Sequence, residues 1–83
     1  MNRLYIGNLP FAVNEDDLQT MFEATGRVTH VTIPTDRETG RKRGFAFIEM
    51  DSQEAADKAI VQWHNRNLDG RNIVVALAKP KAA

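Results

Sequence analysis

The segment RGFAFIEM, residues 43–50, constrains the fold more than any other part of the chain. Phe45 and Phe47 alternate with Ala46 and Ile48. In a β-strand, successive side chains point to opposite faces of the sheet, so the two aromatic rings share one face and the two aliphatic side chains share the other. The interpretation of the whole chain therefore depends on which of these two faces the hydrophobic core covers.

Hydrophobic periodicity on either side of this segment predicts five further elements. Alternating apolar residues predict strands, and apolar residues spaced three and four apart predict helices. In chain order the predicted elements are a strand over 3–9, a helix over 13–26, a strand over 27–34, the strand over 43–50, a helix over 51–65 and a strand over 72–78. Polar turns are predicted over 35–42, which contains Gly40, and over 67–71.

Capping residues mark the expected ends of both helices. Asn14 is expected to cap the first helix, and Gly26 to end it in the left-handed conformation. Asp51 and Ser52 are expected to start the second helix, and Asp51 and Glu54 have the spacing of a capping box there. Asn65 is expected to end that helix in the left-handed conformation.

The order strand, helix, strand, strand, helix, strand predicts an α+β fold of the ferredoxin-like, split βαβ type (βαββαβ). Right-handed crossovers place both helices on one face of a four-stranded antiparallel sheet. The helices need an apolar sheet face, which one set of alternating residues supplies: Leu4, Ile6, Ala46, Ile48, Met50, Ile73 and Val75. Tyr5, Phe45 and Phe47 are then expected on the open face. The reverse arrangement, with both phenylalanines in the core, would leave Ile48 in water.

The same residues identify a family resemblance. RGFAFIEM resembles the octamer ribonucleoprotein motif of the RNA recognition motif, K/R-G-F/Y-G/A-F-V-x-F/Y, and LYIGNL, residues 4–9, resembles its companion hexamer. Met50 replaces the final aromatic residue of the octamer, and Trp63, on the helix stripe, is expected in the core. The resemblance covers about residues 2–79, the expected domain, and leaves 80–83 as a short tail. The segment DRETGRKRGFAF is most similar to small glycine-rich-type RNA-binding proteins of bacteria, cyanobacteria and plants, without their glycine-rich tail.

This resemblance implies roles for individual residues. Tyr5 and Phe47 would each stack one base, Phe45 would pack against sugars, and Arg43 would pair with a phosphate. Further basic residues at strand ends, in loops and in the tail are expected to contact RNA: Arg3, Arg41, Lys42 and Lys79. Net charge is zero, but the acidic residues concentrate on the helices, which predicts a basic edge and an acidic back. On charge alone, GRKRG is equally well a solubilising loop.

Single-stranded RNA is the expected partner, with single-stranded DNA as an alternative and a post-transcriptional or RNA-chaperone-like role. An acylphosphatase-type enzyme would need a positive charge in the loop NLPFAVN, which has none, so no catalysis is expected. The chain has no Cys and two His, so neither a metal nor a cofactor is expected. A protein partner on the helix face, or a sheet-mediated dimer, is the third hypothesis. The expectation is a monomer without membrane association in the cytoplasm, or in the nucleus or an organelle of a eukaryote.

Overall fold

Eight elements lie within residues 2–41 and 44–78, the parts of the chain that the computed structural model describes. In chain order they are β1 (Arg3–Gly7), α1 (Glu15–Phe22), β2 (Val28–Thr32), β3 (Ala46–Met50), α2 (Gln53–Trp63), β4 (Asn67–Leu68), β5 (Arg71–Asn72) and β6 (Val74–Leu77). Four strands form an antiparallel sheet in the order β2-β3-β1-β6, and β4 pairs with β5 in a separate hairpin. This topology confirms the ferredoxin-like α+β prediction. Neither helix of the described residues is long and apolar enough to cross a membrane.

The pairing of β1 with β3 forms the centre of the sheet. Leu4 lies opposite Ile48, and Tyr5 lies opposite Phe47. Because side chains alternate between faces, this register places two aliphatic residues together on one face and two aromatic residues together on the other. The strands β2 and β6 extend the sheet on either side.

The core lies between the sheet and the two helices. Leu4, Ile6, Ala46, Ile48 and Met50 have no exposed surface, and the core includes Leu18, Phe22, Ala56, Ala59, Ile73 and Val75. The predicted alternation is therefore confirmed, and the alternative with both phenylalanines in the core is wrong. Met50 fills a buried position facing the helices, as predicted.

The N-cap of α1 was predicted correctly, whereas that of α2 was displaced by one residue. The Asn14 side chain accepts a hydrogen bond from the Asp17 amide at 2.9 Å, and the Asp17 carboxylate accepts one from the Asn14 amide at 3.1 Å. In α2 the cap is Ser52, whose hydroxyl oxygen accepts from the Ala55 amide at 3.1 Å. The predicted capping box from Asp51 was wrong: the Asp51 amide still pairs with the Arg27 carbonyl at 2.9 Å, and the helix begins two residues later, at Gln53.

The predicted left-handed end of α1 at Gly26 is also wrong. The helix ends at Phe22, and the Thr25 hydroxyl donates to the Phe22 carbonyl at 3.0 Å, which satisfies one of its terminal acceptors. The positive-φ glycines are Gly40, Gly44 and Gly70, so Gly26 is not among them. The requirement at Gly26 is space, since a Cβ there would lie 2.4 Å from the Ala55 Cβ.

The end of α2 agrees with the prediction, and a short hairpin follows it. Asn65 has a φ of 62°, in the left-handed region. Residues 67–71 were predicted as a turn, but β4 and β5 pair around Asp69 and Gly70, which both have positive φ. Two central residues with positive φ are typical of a two-residue type I′ hairpin.

Replacement of Gly26 by alanine should destabilise the domain by about 1–3 kcal/mol, because the added methyl group overlaps α2. Urea unfolding of Gly26→Ala measures this loss. Ala55→Gly provides the matched background, since it removes the methyl group that the new side chain would meet. In that background Gly26→Ala should cost much less. Equal losses in both backgrounds would contradict the close approach of Gly26 to α2.

Candidate nucleic-acid interface

Three aromatic rings cluster on the sheet face opposite the helices. The Tyr5 and Phe47 ring centroids are 5.9 Å apart, the Tyr5 and Phe45 centroids also 5.9 Å apart, and those of Phe45 and Phe47 5.7 Å apart. Tyr5 is 37% exposed, and both phenylalanines are half-buried. The structure therefore brings together the three predicted aromatic residues as one continuous apolar surface, which we call the aromatic platform.

Gly44 determines how Phe45 joins this platform. Its φ of +81° is a conformation that residues with a side chain rarely adopt. The Gly44 carbonyl accepts a hydrogen bond from the Leu9 amide at 2.9 Å. This bond anchors the chain just before β3 to the loop after β1, so that Phe45 enters the sheet beside Tyr5.

Gly7 provides room for the Tyr5 ring. A Cβ at Gly7 would lie 2.9 Å from both Cε1 and Oη of Tyr5, so the ring extends along β1 over the missing side chain. The alternation of β1 places both residues on the open face, yet Gly7 is buried because the ring covers it. Sequence reasoning assigned no role to this glycine, although a glycine two residues after a surface aromatic in a strand is a usable signal.

Arg3 was predicted to contact RNA, and the structure places it on the platform. Its guanidinium carbon lies 4.5 Å from the centroid of the Phe47 ring. Such a cation–π contact at an exposed site contributes about 0.5–1 kcal/mol. Arg3 lies opposite Glu49 in the β1–β3 register, so a cation and an anion flank the same aromatic ring.

A hollow of about 520 Å³ opens beside Phe47 on the β2 side of the platform. Its lining combines an aromatic ring with an arginine, a carboxylate, an imidazole and two hydroxyl groups; the residues are Arg3, Thr29, His30, Thr32, Phe47 and Glu49. The hollow thus offers hydrogen-bond donors and acceptors next to a stacking surface. These are the groups that recognise the edge of a planar base.

Of the remaining predicted basic residues, the structure describes one. Arg41 is exposed in the β2–β3 connection, where its carbonyl accepts from the Asp36 amide at 2.7 Å and its amide donates to the Thr39 hydroxyl at 3.3 Å. Lys42, Arg43 and Lys79 lie outside the described residues, so their predicted phosphate contacts stay predictions.

A second aromatic and arginine pair lies at the end of β1 and was missed in the sequence. Phe11 is 61% exposed, and the Arg71 guanidinium carbon lies 5.8 Å from its ring centroid. Arg71 also donates to the Asn8 side-chain oxygen at 3.3 Å. The loop after β1 carries no positive charge in the sequence, but the fold supplies one from β5. No local pattern could have shown this, because the two residues are 60 positions apart.

The helix side of the molecule has a different electrostatic character. Three acidic residues, Glu15, Asp16 and Asp17, occupy the first turn of α1, and the exposed pair Glu54 and Lys58 is 3.5 Å apart on α2. Within residues 2–41 and 44–78, no group of three or more His, Cys, Asp or Glu side chains is arranged to hold a metal ion. On the open side of the sheet, by contrast, the Arg3 guanidinium lies over an aromatic ring.

Comparison with known proteins agrees with this geometry. Residues 4–74 match the family model described as "RNA recognition motif". A cyanobacterial relative from Nostoc sp., "Putative RNA-binding protein RbpE", is 47% identical over 78 residues, which cover 94% of this chain and 79% of the relative. The crystal structure of "RNA Binding Protein PG1" superposes with a TM-score of 0.87 at 40% identity, covering 98% of this chain and 100% of that one. A chain of the "SXL-LETHAL PROTEIN/RNA COMPLEX" has a TM-score of 0.87 at 35% identity, covering 93% and 47%.

Substitution of Gly7 by alanine should move the Tyr5 ring without unfolding the domain. The new methyl group meets only the outer end of a flexible side chain, so the free energy of unfolding should change by less than about 1 kcal/mol. Because Tyr5 is the only tyrosine, NMR signals of its ring report the displacement directly. Unchanged Tyr5 signals in Gly7→Ala would show that the ring does not lie over Gly7.

Proposed function

The chain is a member of the RNA recognition motif family, and on this premise we propose that it binds single-stranded RNA on the open face of its sheet. The observation that carries the proposal is the aromatic platform: Tyr5, Phe45 and Phe47 adjoin one another on the face away from the helices. A contiguous apolar patch on a protein surface is typical of a binding site. The flat faces of aromatic rings suit the faces of unpaired bases.

Base stacking supplies most of the proposed binding energy. Tyr5 and Phe47 each stack one base, at about 1–3 kcal/mol per base, and Phe45 packs against the sugars between them. The base on Phe47 displaces the Arg3 guanidinium from the ring face. That exchange is favourable because the exposed cation–π contact contributes only about 0.5–1 kcal/mol.

Phosphate contacts complete the proposal. Arg41 is supported by its exposure in the β2–β3 connection, and Lys42, Arg43 and Lys79 are assigned from the sequence. The acidic first turn of α1 would repel a phosphate chain from the helix side, which favours the open face. One sheet of this kind accommodates two to four nucleotides, with an affinity in the range of about 1 μM.

The relatives support the class of ligand. The Nostoc relative is named as RNA-binding, and one solved neighbour is a complex with RNA. A post-transcriptional or RNA-chaperone-like role, binding to single-stranded DNA, the monomeric state and the cytoplasmic location stay predictions, as does the assignment of residues 2–79 as the domain.

Phe47→Ala should impair RNA binding, whereas Trp63→Ala should impair stability. Loss of the Phe47 ring removes one base stack and should weaken RNA binding by about 1–3 kcal/mol. Trp63 packs against the core, with its ring centroid 5.9 Å from that of Phe22, so its loss should cost about 3–5 kcal/mol of stability. Urea unfolding and titration with short single-stranded RNA measure both quantities for both variants.

Each variant serves as the control for the other, because each replaces an aromatic residue by alanine on one side of the sheet. The folded fraction of Trp63→Ala should bind RNA with nearly unchanged affinity. If Phe47→Ala unfolds the domain while Trp63→Ala keeps its stability and loses RNA, the binding face is on the helix side. No binding of the wild type to any RNA at low salt would refute the proposed function itself.

The salt dependence of binding tests the phosphate contacts. If about three basic side chains meet phosphates, the slope of log K against log salt concentration should be about −2, since single strands give about −0.7 per contact. Replacement of Lys42 and Arg43 by glutamine together should flatten this slope. Lys58→Gln, on the exposed surface of α2, is the matched control and should leave it unchanged. An unchanged slope in the double variant would place the phosphate contacts elsewhere.

A further inference from the structure

We infer that Arg3 and Glu49 form a base-reading pair beside Phe47 and that this pair selects guanine. The inference rests on the proposed RNA binding and names the base that the hollow beside Phe47 accepts. Stacking does not explain why a carboxylate, that of Glu49, lies on the face that would receive a polyanion. A role for that carboxylate has to outweigh its repulsion of phosphate.

The Glu49 carboxylate is available for a ligand. Within residues 2–41 and 44–78, it has neither a hydrogen-bond partner nor an ion-pair partner; the Thr29 hydroxyl donates to the Glu49 backbone carbonyl, at 3.1 Å. Glu49 lies two residues after Phe47 on β3, so both side chains are on the open face and both line the hollow. A carboxylate accepts hydrogen bonds only, so it requires a ligand edge that donates.

Arg3 supplies the complementary group. The Arg3 guanidinium lies over the Phe47 ring. None of its N–H groups donates a hydrogen bond to a described residue. Arg3 and Glu49 are cross-strand partners, and such side chains start about 4.5–5.5 Å apart. Arg3 and Glu49 therefore present guanidinium N–H donors next to two carboxylate acceptors. Both groups lie at the edge of the Phe47 ring, on which a base would stack.

Guanine matches this order of groups along two adjoining edges. Its N7 and O6 accept hydrogen bonds, and the adjoining N1–H and N2 amino group donate them. Bidentate pairing of arginine with O6 and N7 is the commonest base-specific contact in the major groove of DNA, and the same two acceptors are open on an unpaired guanine. The carboxylate accepts from N1–H and the N2 amino group, which are adjacent donors on the Watson–Crick edge.

The other bases match less well. Uracil presents one N–H group between two carbonyl oxygens, and those oxygens would face the carboxylate. Adenine and cytosine each offer a single amino group to Glu49, with an acceptor beside it. The expected order of affinity is guanine first and uracil last, with a ratio of about tenfold for a bidentate contact.

The test uses short single strands, UUXUU, in which X is G, A, C, U, inosine or 7-deazaguanine. A strand this short can shift its register so that the single variable base lies in the hollow. The wild type should bind the guanine strand about tenfold more tightly than the uracil strand. Inosine lacks the N2 amino group and 7-deazaguanine lacks the N7 acceptor, so each should bind severalfold more weakly than guanine.

Two variants assign these losses to the two side chains. Glu49→Gln keeps the shape of the side chain and should remove the difference between guanine and inosine. Arg3→Lys keeps the charge but not the fork, and should remove the difference between guanine and 7-deazaguanine while the salt slope stays constant. Asp57→Asn, on the exposed surface of α2, is the control for the charge change in Glu49→Gln and should bind all strands in the wild-type order.

The outcomes separate this inference from the proposed function. If the wild type binds no strand, the proposed function fails. If it binds all strands within twofold of one another, RNA binding stands and guanine selection is refuted. Guanine selection that persists in Glu49→Gln refutes the role of the carboxylate. A uniform loss for all strands in Arg3→Gln, with a flatter salt slope, would assign Arg3 to a phosphate and refute its role in base reading.

Discussion

The antiparallel pairing of β1 with β3 is the constraint on which the rest of the structure depends. Leu4 lies opposite Ile48 and Tyr5 opposite Phe47, so a single register places aliphatic residues on the core face and the aromatic platform on the open face. A shift by one residue would turn the aromatic rings toward the helices and the aliphatic residues toward water. Stability of the core and geometry of the proposed binding face are therefore consequences of the same hydrogen-bonded ladder.

Three glycines determine how neighbouring groups pack on the two faces of this sheet. Gly26 brings the segment after α1 against Ala55 of α2, which closes the core on the helix side. Gly7 lets the Tyr5 ring lie along the open side of β1, and Gly44 turns the chain so that Phe45 joins the same surface. At Gly7 and Gly26 the absence of a side chain decides how closely the neighbouring groups approach.

Acidic and basic residues are distributed unevenly over the surface, although the net charge is zero. The first turn of α1 is acidic, whereas Arg3 lies over Phe47 on the open face and Arg71 lies beside the exposed Phe11. The exception is Glu49, which lies among the groups of the open face. A carboxylate at that position repels phosphate but can accept hydrogen bonds from a base edge with two donors. Its presence therefore favours selective binding of a base over general attraction of a polyanion.

The sequence by itself determined the fold class, the faces of the residues in β1 and β3, the Asn14 cap and the aromatic platform. These features follow from periodicity and from caps within a few residues, which are local properties of the chain. Tertiary structure decided the cap at Ser52, the spatial role of Gly26, the position of Arg3 over Phe47 and the approach of Arg71 to Phe11. The last three depend on groups that are far apart in the sequence and meet only when the sheet has formed, and the choice of Ser52 over Asp51 follows from the pairing of Asp51 with Arg27, so no local pattern specifies them.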